Sequence, residues 1–181
     1  MIHRARIEEQ LAYFMSVALA GLVLALAPVS AIGQVPVKNK AEAIQWLDFE
    51  QALQLAKKEK KILLVDFYTD WCGWCKVMDR ETYGNPKVIK YAREKMVMSK
   101  VNAESKQETS FKDQKFTYQA LAMALGVRGY PATIFIDSNG ELITSVPGFI
   151  RPDDFLPIAE FLAEGHYKSM NFEAYKQKRK T

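Results

Sequence analysis

From Asp48 onward the apolar residues Phe49, Ala52, Leu53, Leu55 and Ala56 recur at helical spacing, and Lys57, Lys58, Glu59 and Lys60 close the stretch with charge. The period then changes. Ile62 to Tyr68 is a short, nearly continuous apolar run rich in strand formers, the pattern of a central strand buried on both faces. Its one charged residue is Asp66. This strand runs into Thr69-Asp70-Trp71-Cys72-Gly73-Trp74-Cys75-Lys76, and Val77 and Met78 follow at helical spacing, so the cysteine pair opens a helix. Asn85-Pro86 predicts the next helix start, with Asn85 as N-cap and Pro86 as first residue. Met96 to Asn102 reads as a second strand. The polar stretch from Ser105 to Lys115 reads as a solvated loop, and the helix after it carries Tyr118, Leu121, Ala122 and Leu125, with Gly126 as its C-cap. Ala132 to Asp137 and Glu141 to Val146 read as two antiparallel strands joined by a turn at Ser138-Asn139-Gly140. A last helix carries Phe155, Ile158, Phe161 and Leu162.

This order is a βαβ unit followed by a ββα unit, which predicts an α/β domain with a central mixed β-sheet flanked by helices. Ahead of it, Arg4 and Arg6 precede an apolar run from Leu11 to Val29, and small residues follow at Ser30, Ala31 and Gly33. Residues 1–33 therefore read as an export signal peptide, or as an uncleaved N-terminal anchor given the length of the run. The remaining organisation is a linker over 34–47, the folded domain over 48–166 and a basic tail over 167–181. Either fate of the leader places the folded part outside the cytoplasm of a bacterial cell: periplasmic, secreted or membrane-anchored.

Composition narrows the chemistry. The chain has 181 residues, 49% hydrophobic, with 25 Lys+Arg against 21 Asp+Glu. Lys176, Lys178, Arg179 and Lys180 supply four positive charges, as many as the whole net charge of +4. The body is close to neutral, which argues against nucleic acid as a partner. A domain of this size buries a core without cross-links, so its two cysteines are free for chemistry. Zinc needs four ligands, and the chain offers Cys72, Cys75, His3 and His166 at unsuited positions. No metal and no cofactor other than the cysteine pair is expected.

A Cys-x-x-Cys at a strand-to-helix junction is a redox arrangement. Cys72 precedes the first helical turn, where unpaired N–H groups and the helix dipole favour a thiolate, making it the nucleophile. Cys75 lies one turn further in, close enough for a disulfide and shielded enough to resolve a mixed disulfide formed on Cys72.

Val65-Asp66-Phe67-Tyr68 with Trp71-Cys72-Gly73-Trp74-Cys75-Lys76 resembles the active-site strand and turn of thioredoxins. Lys100-Val101-Asn102, Gly126 to Thr133 with Tyr130-Pro131, and Pro147-Gly148-Phe149 resemble three further thioredoxin segments in the right order. Cys75-Lys76, then Met78 to Thr82 and Asn85 to Val88, are similar to exported members and to the C-terminal domain of DsbD-type thiol:disulfide interchange proteins. The resemblance implies a thioredoxin fold and an exported thiol:disulfide oxidoreductase acting on a disulfide-containing protein. It implies that Asp66 relays protons for Cys75 with Lys100 biasing its ionisation, that Tyr130-Pro131 is a cis bond beside Cys72, and that the domain is a monomer. Trp71, Gly73, Trp74 and Phe149 then form an apolar docking rim with Tyr130 and Pro131. Reduction is the expected direction, fed by a membrane electron donor such as a DsbD-type reductase. A disulfide oxidase or isomerase, and a binding or chaperone module that does not use its thiols, are the alternatives. Trp74 stands where thioredoxins usually carry proline, so the redox potential is not carried over.

Overall fold

A computed structural model describes residues 43–180. The expected leader at 1–33 and the first part of the expected linker lie outside the described residues. A five-stranded sheet forms the centre, in the order β1-β3-β2-β6-β7. Its strands are β1 (Trp46–Leu47), β2 (Ile62–Tyr68), β3 (Met96–Asn102), β6 (Ala132–Ile136) and β7 (Leu142–Pro147). The first three run parallel, β6 pairs antiparallel with β2, and β7 pairs antiparallel with β6. The helices are α1 (Phe49–Glu59), α2 (Gly73–Glu81), α3 (Pro86–Lys95), α4 (Tyr118–Ala124), α5 (Pro152–Ala163) and α6 (Phe172–Lys180).

Burial on both faces explains the near-continuous apolar run of β2. Leu63, Val65 and Phe67 point into a core shared with Phe49 and Leu121, while Ile62 and Leu64 point into the other, shared with Met78, Val88, Phe135 and Phe155. Because strand side chains alternate, Asp66 falls on the Leu64 face, the side covered by α2, α3 and α5. The local signals act as anticipated at α3, where Asn85 Oδ1 accepts the Lys87 N–H at 2.9 Å. They also act at the end of α4, where Gly126 takes φ +77°.

Three segments differ from the sequence reading. The expected linker ends in β1, whose Trp46 and Leu47 pair with Met98 and Ser99, and Ile44 is buried. Two residues are too few for a period, so only the open edge of β3 reveals this strand. The expected loop at 105–115 contains a hairpin, β4 (Glu108–Phe111) and β5 (Gln114–Thr117). Lys112 and Asp113 form its tight turn at φ 50° and 62°. Its buried face consists of Thr109 and Phe111, and the Phe111 ring meets Phe49 at 5.5 Å. The expected tail folds as well: a 3-10 turn at His166–Lys168 leads into α6, which buries Tyr175 and sets Arg179 on Glu160 at 2.7 Å. Aromatic anchors in a basic, polar sequence hold it down. No helix among the described residues is long and apolar enough to cross a membrane.

Candidate active site

The polypeptide leaves the end of β2 through a turn in which the Cys72 N–H donates to Thr69 O at 3.1 Å, and α2 begins at once. Cys72 is the N-cap of that helix. Its Sγ accepts the Cys75 N–H at 3.1 Å, as a capping side chain should. The two cysteines are bonded to each other across a Cα–Cα distance of 5.3 Å, and both are buried.

Around this buried disulfide the surface is aromatic. Trp71 and Trp74 are 67% and 62% exposed, high values for rings of this size. Trp71 meets Tyr130 edge-on at 6.0 Å, and Trp74 meets Phe149 at 5.5 Å. The Trp71 indole N–H is shared between the two carboxylate oxygens of Glu104 at 3.0 and 3.1 Å. The Tyr130–Pro131 peptide bond is cis. Gly148, at φ +83°, donates its N–H to Pro131 O at 2.8 Å, which ties the Phe149 turn to the proline loop. Gly73 opens α2 between the tryptophans, and a Cβ there would meet nothing within 4 Å.

A charged chain graded from core to solvent runs from β2 through β3 to α2. Asp66 is buried, with Oδ2 at 3.6 Å from Lys100 Nζ, and Lys100 also contacts Asp79 directly. Side-chain exposure rises from 2% at Asp66 through 19% at Lys100 to 43% at Asp79. Asp66 and Lys100 are facing residues of β2 and β3, so sheet register brings them together. Asp79 follows Cys75 by four residues on α2, which puts both on one helix face and brings the chain within one turn of the inner cysteine. Burial pushes the Asp66 carboxyl up to about 7; the Lys100 charge opposes the rise and the Asp79 charge adds to it. Among the described residues, no group of three or more His, Cys, Asp or Glu side chains is placed to hold a metal ion.

The structure thus brings Trp71 to Tyr130, Trp74 to Phe149 and Asp66 to Lys100, with Cys72 and Cys75 bonded at the start of α2, all of them singled out in the sequence. Asp79 and Glu104 were not singled out. Helical spacing from Cys75 was the available signal for Asp79. Glu104 gave none, because its partner Trp71 comes from a different crossover.

Fold and site together define a domain with a disulfide at a helix start and a buried acid in the strand that leads into it. A family model described as a thioredoxin-like domain matches residues 49–163, and the chain belongs to that family. Over 106 residues it is 33% identical to the thiol:disulfide interchange protein DsbD of Tatumella citrea, covering 57% of this chain and 17% of the relative. Over 140 residues it is 29% identical to the DsbD of Ralstonia nicotianae, covering 76% and 21%. The chain thus spans about a fifth of the length of these curated relatives. Among solved structures, a thioredoxin-fold protein from Helicobacter pylori superposes with a TM-score of 0.61 at 22% identity, covering 67% of this chain and 86% of that one. A DsbH oxidoreductase gives 0.56 at 22% identity, covering 67% and 85%. At these identities the two structures support the fold, and the fold is the thioredoxin fold.

Proposed function

We propose that this protein is an exported thiol:disulfide oxidoreductase that reduces disulfides in other proteins. The observation that carries the reading is the Cys72–Cys75 disulfide capping α2 above the Asp66–Lys100–Asp79 chain. In the reduced enzyme the Cys72 thiolate attacks one sulfur of the substrate disulfide. An S–S bond forms between them, and the other substrate sulfur leaves as a thiolate. Cys75 then gives up its proton toward Asp66 and attacks the Cys72 sulfur, releasing the second substrate thiol. Two electrons have passed to the substrate, and the enzyme holds the disulfide seen here. A dithiol donor must reduce it again, and in an oxidising compartment a DsbD-type membrane reductase is the fitting source. A carboxyl that titrates near neutral pH suits it to take a proton and return it.

Trp71, Tyr130, Trp74 and Phe149 form the apolar rim against which the substrate chain docks, with exposed Gly73 opening the helix between the tryptophans and cis-Pro131 turning the chain at Tyr130. The buried Asp66 carboxyl supports the reducing direction: its negative charge opposes the thiolate that the helix start favours, and a dithiol whose thiolate is less stabilised gives up its electrons more readily. The domain works as a monomer, delivered outside the cytoplasm by the 1–33 segment as a leader or anchor. The test is the equilibrium potential of the pair, titrated against a dithiothreitol buffer. A value near −270 mV, about that of thioredoxin, supports a reductase. A value near −120 mV, about the strongly oxidising end, makes the protein a disulfide donor instead.

A further inference from the structure

Among the described side-chain oxygens that are buried without a close hydrogen bond, three surround one buried acid: Asp66 Oδ1, Tyr83 Oη and Thr133 Oγ1. Each comes from a different element. Asp66 and Thr133 face each other across β2 and β6, and Tyr83 lies in the turn between α2 and α3. The Tyr83 hydroxyl is a hydrogen-bonding neighbour of both of the others and also feels the charge of Asp66. Buried polar atoms are nearly always paired, so three together around a buried acid call for a functional account.

The placement of Tyr83 is fixed from several sides. Its ring packs edge-on between Trp46 at 4.9 Å and Phe155 at 5.9 Å. The preceding Thr82 donates its hydroxyl to Ile150 O, and the Tyr83 N–H reaches back to Met78 O at 3.0 Å. The following Gly84 passes so close to Arg80 that a Cβ would stand 2.4 Å from its carbonyl oxygen. Only the hydroxyl hydrogen is left free to rotate. Tyr83, Trp46 and Tyr68 also surround the Lys100 ammonium at 6.0, 5.2 and 5.2 Å from their ring centres.

We propose that the Tyr83 hydroxyl is a switchable hydrogen-bond partner of Asp66, donating to its carboxylate when Asp66 is charged and turning to Thr133 when Asp66 is protonated. Tyr83 is then a positioning residue for the redox reaction, acting on Cys75 through Asp66. The groups facing Asp66 are Lys100 from β3, Asp79 from α2, Thr133 from β6 and Tyr83 itself. Lys100 serves Oδ2, Oδ1 makes no close hydrogen bond, and the Tyr83 hydroxyl is a hydrogen-bonding neighbour of the carboxyl. Burial holds the phenol well above its usual range, so it stays a donor wherever Asp66 titrates.

The inference rests on Asp66 as the acid of the site, and its test separates the two. Asp66 is titrated by carboxyl carbon NMR in the wild-type protein, Tyr83→Phe and Thr133→Val. Tyr83→Phe keeps the ring and its packing, so the fold survives. The expected result is a rise of the Asp66 midpoint by about one pH unit in Tyr83→Phe, the effect of one hydrogen bond to an ionised group. In Thr133→Val the midpoint falls, since the protonated state loses its alternative partner. An Asp66 midpoint unchanged in Tyr83→Phe overturns the proposal. If the midpoint moves while the pH profile of disulfide exchange does not, Tyr83 sets Asp66 as proposed and the proton-relay role of Asp66 fails instead.

Discussion

Asp66 carries a thermodynamic signature that unfolding can read. Its carboxyl titrates near 4 in the unfolded chain and at about 7 in the fold, because burial outweighs the attraction of Lys100. Between those values the folded state holds a proton that the unfolded state has lost, so stability falls as pH rises through this window. Asp66→Asn, measured by denaturant unfolding of the oxidised protein at pH 5 and pH 8, should flatten that slope and be the more stable protein at pH 8. An unchanged slope would mean that Asp66 does not titrate in this range. At the rim, Trp74→Ala should raise KM for a protein disulfide several-fold while leaving the rate of Cys72 alkylation in the reduced enzyme unchanged, because the ring touches Phe149 and solvent. Asp66 was legible in the sequence as the lone charge in an apolar strand, and the cysteines were legible by spacing. Tyr83 and Glu104 were not, since their significance comes from partners on elements far away in the chain.

The glycines at either end of α2 make opposite predictions. A Cβ at Gly84 would meet the Arg80 carbonyl at 2.4 Å, backbone that cannot give way. Gly84→Ala should therefore cost about 1–3 kcal/mol in denaturant unfolding, as overpacking of a fixed site does. Gly73 has open space around its missing Cβ, and Gly73→Ala should leave stability unchanged or raise it by about 0.5–1 kcal/mol by restricting the unfolded chain. The main elements were readable because β2, β3 and β6 and the helices around them carry enough apolar residues for a period to show. The misread ones lack that. β1 has two residues, the β4–β5 hairpin places only Thr109 and Phe111 inward, and α6 is basic with Tyr175 as its buried anchor. For such segments pairing and docking decide the structure, and both depend on the rest of the fold.

Across the whole molecule, parallel β1, β2 and β3 set Lys100 opposite Asp66, and antiparallel β6 brings Thr133 to the other side of the same residue. The sheet thus surrounds one buried carboxyl from three strands and delivers the chain from β2 straight into the cysteine turn. Its register was hidden in the sequence, although the strands themselves were not. The central claim is that this assembly exchanges disulfides, with Cys72 attacking and Cys75 resolving. The most direct measurement is a trapping experiment on reduced Cys75→Ser with a disulfide-bonded protein substrate, with the adduct mapped by peptide mass spectrometry. The account predicts a stable mixed disulfide at Cys72 in Cys75→Ser and none in Cys72→Ser. Equal trapping through Cys75 in Cys72→Ser, or no adduct in either variant, would contradict it.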